Sequence, residues 1–264
     1  MGQTHRRISV HEKALDDSKS CRAVIFDLHG VLINTEPLKF QAWKEACAST
    51  NSQWILEQDT YKHWVGMSTD EIARRLLMHF SGQTTDLTSL KSFQTMHYVK
   101  LRHLSRPDHD WTLPGTDLLK RLLDMNLPNV KLAVVSSGDR QEVYADLFRM
   151  SIPTDGLVII TKLDVEQHYP DIVDPLKPKP FPYLLAMTKL EVTSDQCTIV
   201  EDTESGVQAA LAAGISSVWI MPNTMEYEVQ SRPTQKWIRY LDSDTCHRYP
   251  EQVCNVLARP PSVS

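Results

Sequence analysis

The chain has 264 residues, with 28 Lys and Arg against 33 Asp and Glu and a formal net charge of −5. That balance supplies no basic field for nucleic acid or an anionic membrane surface, and no apolar run nears the roughly 20 residues of a membrane span. Five cysteines without CxxC spacing argue against a zinc site or disulfide framework and point to a reducing, cytoplasmic setting.

The first 20 residues are polar, carry Arg6-Arg7 and Asp16-Asp17, and lack the apolar centre of a secretion signal, so they read as a disordered leader. The run Ala23-Val24-Ile25-Phe26-Asp27-Leu28-His29-Gly30 predicts a buried strand over 23–27 that delivers Asp27 to its C-terminal end and then turns sharply. From 37 to 107 only helical patterns follow, at 38–49, 68–80 and 87–104, with Ser68 and Glu71 spaced as a capping box after Gly66-Met67. This predicts a helical cap of residues 37–112, attached by linkers near Thr35 and Leu113.

Strand signals return at 131–136, 157–160, 197–201 and 216–220, mostly separated by helical patterns. One helix follows Pro114-Gly115, and Val143, Ala145, Leu147 and Phe148 give a weaker one. Others fall at 183–190 and at 206–213, the last ending at Gly214 as a helix C-terminus should. Residues 162–175 read as a long loop, and the Pro/Ser-rich 257–264 as a loose tail. Alternating strands and helices predict an α/β fold, a Rossmann-like parallel sheet built from 21–36 and 113–256. Ligands bind such sheets at the C-terminal strand ends.

Chemistry-bearing residues collect at those ends. Asp27 closes the first strand, Ser136-Ser137-Gly138 the second and Glu201-Asp202 the fourth, while Lys177 opens the loop Lys177-Pro178-Lys179-Pro180-Phe181-Pro182-Tyr183. Each alone has a plainer reading: a turn-forming Asp, a solvated Lys, a helix-capping acid, a Ser turn. Together they suit a phosphoryl group and a divalent cation. Mg²⁺ takes one or two carboxylates and leaves room for phosphate oxygen and water. A lysine, a hydroxyl and backbone N–H groups hold the transferring phosphoryl, and a carboxylate aimed at phosphorus can act as nucleophile.

Over about residues 21–220 the chain resembles the haloacid dehalogenase-like superfamily, in particular its β-phosphoglucomutase-like phosphatases with a helical cap after the first strand. The first motif, D-x-D-G-[VT]-[LV], is matched by Asp27-Leu28-His29-Gly30-Val31-Leu32 except at its second aspartate, and Asn34-Thr35-Glu36-Pro37-Leu38 is similar to the D-[ST]-E-P-L that follows. Ser136 matches the second motif, Lys177 to Tyr183 the third, and Glu201 to Gly214 the fourth, E-D-[ST]-x-x-G-x-x-A-A-x-x-A-G. The resemblance implies that Asp27 is the nucleophile and a metal ligand. Asp202 is then the second metal carboxylate, with Glu201 acting directly or through water, and the backbone carbonyl of His29 completes the protein's share of the Mg²⁺ shell. Ser136 and Lys177 bind the phosphoryl group.

The family's second aspartate is its general acid/base, and here that position is His29. Imidazole titrates near pH 6.5 and can do acid/base work, but it is bulkier than aspartate, and neighbouring Mg²⁺ and Lys177 oppose its cationic form. Two readings follow: a phosphatase of a small phosphomonoester with altered acid/base chemistry, or a weakened or inactive relative that binds a phosphorylated ligand or a protein partner. A phosphosugar mutase is the third, and the loop Trp64-Val65-Gly66-Met67-Ser68-Thr69-Asp70-Glu71 lacks the Lys and Arg that grip a second phosphate in such mutases. Lys39 stands where the family often has a histidine and is a candidate to reach the site. The expected partner is a small phosphorylated substrate, with no nucleic acid and no membrane, for a monomer or weak dimer.

Overall fold

The computed structural model describes residues 22–81, 86–104, 111–221 and 238–240; the polar leader, the tail, Cys21, Cys246 and Cys254 lie outside the described residues. Six parallel strands form one sheet: β1 (Ala23–Asp27), β2 (Lys131–Val135), β3 (Leu157–Ile160), β4 (Cys197–Glu201), β5 (Ser217–Ile220) and β6 (Ile238–Tyr240). Their order is β3-β2-β1-β4-β5-β6, so β1 lies inside the sheet and the order turns between β1 and β4. Five of these are the strands that the sequence predicts, within a residue at their ends; β6 is an addition.

All five residues of β1 are buried because both faces of the sheet are covered. Val24 and Phe26 face one core, with Leu118, Leu119 and Leu122 of α5 (Pro114–Met125) and Val143 and Leu147 of α6 (Arg140–Arg149). Ala23 and Ile25 face the other, with Tyr183, Leu185 and Ala186 of α8 (Phe181–Leu190) and Val207, Ala209 and Ala210 of α9 (Glu204–Ala212). Strand alternation therefore explains which residues meet which layer. Residues 162–168, read above as loop, form α7 (Lys162–His168). Thr161 caps it, its backbone N–H donating to Asp164 Oδ2 at 2.9 Å. Val165 alone of this helix is buried, which leaves no apolar periodicity to see in the sequence.

Between β1 and α5 lie α1 (Glu36–Thr50), the single turn α2 (Gln58–Tyr61), α3 (Thr69–Ser81) and α4 (Leu87–Leu104). Pro37 in the first turn of α1 suits a helix start. Ser68 Oγ accepts from the Glu71 N–H at 3.2 Å ahead of α3, while the Glu71 carboxylate turns to Arg74 and Arg75. These helices have their own apolar core, made of Trp43, Cys47, Tyr61, Ile72, Leu76 and Leu90 among others. The two connecting segments run side by side: the Asn34 N–H donates to the Trp111 carbonyl at 2.8 Å and the Leu113 N–H to the Leu32 carbonyl at 2.9 Å. Among the described residues, no helix is long and apolar enough to cross a membrane.

Candidate active site

Because β1 lies between β2 and β4, its last residue meets the ends of both. Asp27 is level with Val135, one residue before Ser136, and Phe26 is level with Val200, one before Glu201. Lys177 enters from the segment between α7 and α8. Its ammonium donates to Asp27 Oδ1 at 2.5 Å and to Glu201 Oε1 at 2.6 Å, and lies 5.1 Å from the Tyr183 ring centroid. Asp27, Lys177, Ser136, Glu201 and Asp202 are all buried, so each charge depends on its partners.

Burial pushes the Asp27 carboxyl up to about 6, against the pull of Lys177 and with the added repulsion of Glu201. Burial also works against ionised Glu201, but Lys177 together with the hydrogen bonds from Thr203 and Tyr183 outweighs it and holds that carboxyl below its usual range. Desolvation likewise disfavours the Lys177 ammonium, and the two carboxylates more than reverse this, so it stays charged. Two acids sharing one cation thus separate into a firmly ionised Glu201 and a more basic Asp27.

Glu201 is fully engaged. Oε1 accepts from Lys177 and from the Tyr183 hydroxyl at 2.8 Å; Oε2 accepts from the Asp202 N–H at 3.0 Å and from the N–H and hydroxyl of Thr203, both at 3.1 Å. It anchors Lys177 and the turn into α9. Thr203 then caps that helix, accepting from the Gly206 N–H at 3.0 Å. Gly206 is required there, since a Cβ would stand 1.7 Å from Glu201 Oε1. Gly30, at φ +95°, leaves room for the Asp202 carboxylate, which a Cβ would meet at 2.0 Å.

The donor set fits a hard divalent cation. Asp27, Glu201 and Asp202 offer carboxylate oxygens within 4.8 Å of one another, and Lys177 sets one positive charge against the three. With Glu201 already saturated by donors, Asp27 and Asp202 suit direct ligation and Glu201 a supporting place. On the β2 side, Ser136 Oγ accepts from the Gly138 N–H at 3.0 Å. Among the described residues, the buried Ser137 Oγ has no hydrogen-bond partner. These groups border a cavity of about 660 Å³ between the sheet edge and the inserted helices, which Glu36, Lys39 and Tyr98 line from the opposite side.

His29 lies beside this cluster and turns toward α6. Its Nε2 is 3.2 Å from Asp146 Oδ2 and 3.6 Å from Glu142 Oε1, and its Nδ1 is 3.5 Å from Ser136 Oγ. Lys39 does line the cavity, but its ammonium donates to Glu36 Oε1 at 2.7 Å. The sequence reading did not single out Glu142, Asp146, Tyr98 or Arg102. One sign was available: the weak apolar pattern of α6 becomes regular once Asp146, rather than Ala145 or Phe148, is placed on the buried face with Val143 and Leu147.

Comparison with known proteins bears on the family and the fold. The sequence pattern of haloacid dehalogenase-like hydrolases matches residues 24–220. Phosphorylated carbohydrates phosphatase of Thermotoga maritima is 28% identical over 197 residues, covering 75% of this chain and 83% of that protein. Beta-phosphoglucomutase of Bacillus subtilis is 27% identical over 207 residues, again covering 75% of this chain and 83% of that protein. CbbY from Rhodobacter sphaeroides, solved in complex with phosphate, shares the fold at a TM-score of 0.64 and 23% identity, over 84% of this chain and 93% of that one. A parallel sheet carrying this strand-end cluster, with helices inserted after β1 and a family pattern that spans nearly the whole described sheet, places the chain in the haloacid dehalogenase-like hydrolase family.

Proposed function

We infer that the protein is a Mg²⁺-dependent phosphatase that hydrolyses a small phosphomonoester through Asp27. The convergence of Asp27, Lys177 and Ser136 at one cavity, with the Asp202 carboxylate within 4.8 Å of that of Asp27, carries this reading. Asp27 attacks phosphorus, forming an Oδ–P bond as the ester P–O bond breaks, and the leaving alkoxide takes a proton from His29. Water then attacks the aspartyl phosphate, returns its proton to His29 and releases orthophosphate. Lys177 and Ser136, with the N–H groups of 137–138, hold the phosphoryl oxygens in place. Mg²⁺ held by Asp27, Asp202 and the His29 carbonyl would neutralise phosphoryl charge.

The helices of 37–112 act as a cap that excludes water and selects the leaving group. Among the described residues, the cations by which these helices line the cavity favour a single phosphate on the substrate: Lys39 is paired with Glu36, and Arg102 with Glu142 and Asp146. Phosphorylated sugars are the first compounds to screen, since the Thermotoga relative is named for phosphorylated carbohydrates. A second reading, binding without turnover, is favoured by the bond that ties the His29 ring to Asp146.

One screen separates them. Phosphate esters are assayed with Mg²⁺ for the wild type, Asp27→Asn and His29→Asp. A phosphatase is active as wild type and silent as Asp27→Asn. A silent wild type that gains activity in His29→Asp would sink the enzyme reading in favour of binding alone.

A further inference from the structure

Asp146 has no exposed surface at all, yet it sits on the apolar face of α6 beside Leu147. A carboxylate in that position is costly unless it is charged-paired and hydrogen-bonded. Its partners come from two directions. From the sheet edge comes His29 Nε2, 3.2 Å from Oδ2. From α4 of the inserted helices comes Arg102, whose guanidinium grips both oxygens, Nη1 to Oδ2 at 3.2 Å and Nη2 to Oδ1.

Glu142, one turn earlier on α6, repeats the arrangement. Its Oε1 accepts from Arg102 Nη1 at 3.1 Å and from the Tyr98 hydroxyl at 2.6 Å, and faces His29 Nε2 at 3.6 Å. One oxygen of each carboxylate is therefore shared between the imidazole and the guanidinium. Burial opposes both charges, but the cations around them hold both carboxyls below their usual range. The ring also fits its place closely, as a Cβ on residue 138 would stand 3.0 Å from His29 Cε1. With Nε2 held on Asp146, Nδ1 is the nitrogen left facing Ser136.

We propose that Asp146 and Glu142 are positioning residues that fix the His29 ring, and that Arg102 and Tyr98 complete the hold only while the inserted helices are docked, so that docking and the orientation of His29 form one coupled unit. If the helices lift, Arg102 and Tyr98 leave with them. The two carboxylates then recruit water or pull the ring toward themselves, and Nδ1 loses its fixed aim at Ser136. Such coupling is reciprocal: whatever loosens His29 must weaken docking, and whatever weakens docking must loosen His29. Energetic couplings of this kind commonly lie in the range of about 5- to 150-fold. The coupling itself stands on the geometry; its effect on turnover rests on the phosphatase reading.

The test uses the full chain without substrate and reads two quantities: hydrogen exchange of the α4 amides and the ¹⁵N resonances of the His29 ring. Arg102→Gln is expected to speed exchange in α4 on the order of tenfold and also to move the His29 resonances, although Arg102 reaches the ring only through the shared carboxylates. Asp146→Asn, made from the other side of the unit, is expected to free the ring and to speed α4 exchange as well. Tyr98→Phe removes a single hydroxyl, keeps the fold within reach, and is expected to shift both readouts in the same direction by less. Faster α4 exchange with unmoved His29 resonances in both Arg102→Gln and Tyr98→Phe would overturn the proposal and leave a plain strap. With an active phosphatase, Arg102→Gln should also lower kcat more than it raises KM. A protein without activity leaves the two substrate-free readouts intact, so the two readings fail separately.

Discussion

Lys177 holds two buried carboxylates, and removing it separates electrostatic support from chemistry. Lys177→Met leaves Asp27 and Glu201 without their shared ammonium, and breaking a buried pair this way typically costs about 3–5 kcal/mol. Chemical denaturation should show that loss even without substrate, together with abolished turnover. Gly206→Ala probes the same cluster from behind, because its new methyl collides with Glu201. We expect a loss of about 1–3 kcal/mol from forced rearrangement, with a fall in activity as Glu201 and Lys177 shift. An alanine that left both stability and rate unchanged would mean that Glu201 is not held as described. At this scale, the strand-end residues were legible in the sequence because each motif is local and they occur in order. The partners of His29 were not. Asp146 lies 117 positions away and Arg102 reaches Asp146 across 44, separations that carry no periodic signal.

Helix α7 shows what periodicity cannot supply. It is held less by apolar burial than by its start, where Thr161 and Asp164 cap each other and Arg140 of α6 pairs with Asp164. Burial alone would raise the Asp164 carboxyl, but the Thr161 bonds and Arg140 bring it below the usual aspartate range. A depressed folded-state value gives stability that is present above the unfolded value and lost as pH falls through the folded one. Asp164→Ala should therefore cost about 1 kcal/mol near neutrality. The gap from wild type should begin to narrow below about pH 4 and close as pH falls through the lower folded-state value, which thermal melts at pH 7 and down a descending acid series will test. A gap that persists in acid would place the helix's support elsewhere. The cap-like helices were easier to read, since α3 and α4 repeat apolar residues around a common core, whereas α6 hides its regularity behind Asp146.

For the whole molecule, the decisive quantity is what the carboxylate cluster does when a cation arrives. An ion that binds only the folded chain stabilises it by about 2.7 kcal/mol at one hundred times its Kd. For a chain of this size that raises Tm by roughly 5–10 °C. Mg²⁺ should produce such a rise in the wild type and little in Asp202→Asn, as measured by calorimetry over a Mg²⁺ series. An equal rise in both would place the ion away from Asp27 and Asp202. The parallel sheet and the helical insertion were readable from strand spacing and helical patterns; β6 was not, being only three residues long and far from the motifs.

The interior place of β1 also governs how the chain must be made. The strand emerges from the ribosome before either of its neighbours, which begin only at Lys131 and Cys197. At ordinary synthesis rates the wait for the first of them is on the order of ten seconds. Throughout it, an entirely apolar edge from Ala23 to Phe26 has no sheet to join. The inserted helices have a core of their own and local contacts, so they can fold in that interval and shield the nascent strand. The inserted helices, which we propose select the leaving group, would then also act as an intramolecular chaperone during synthesis.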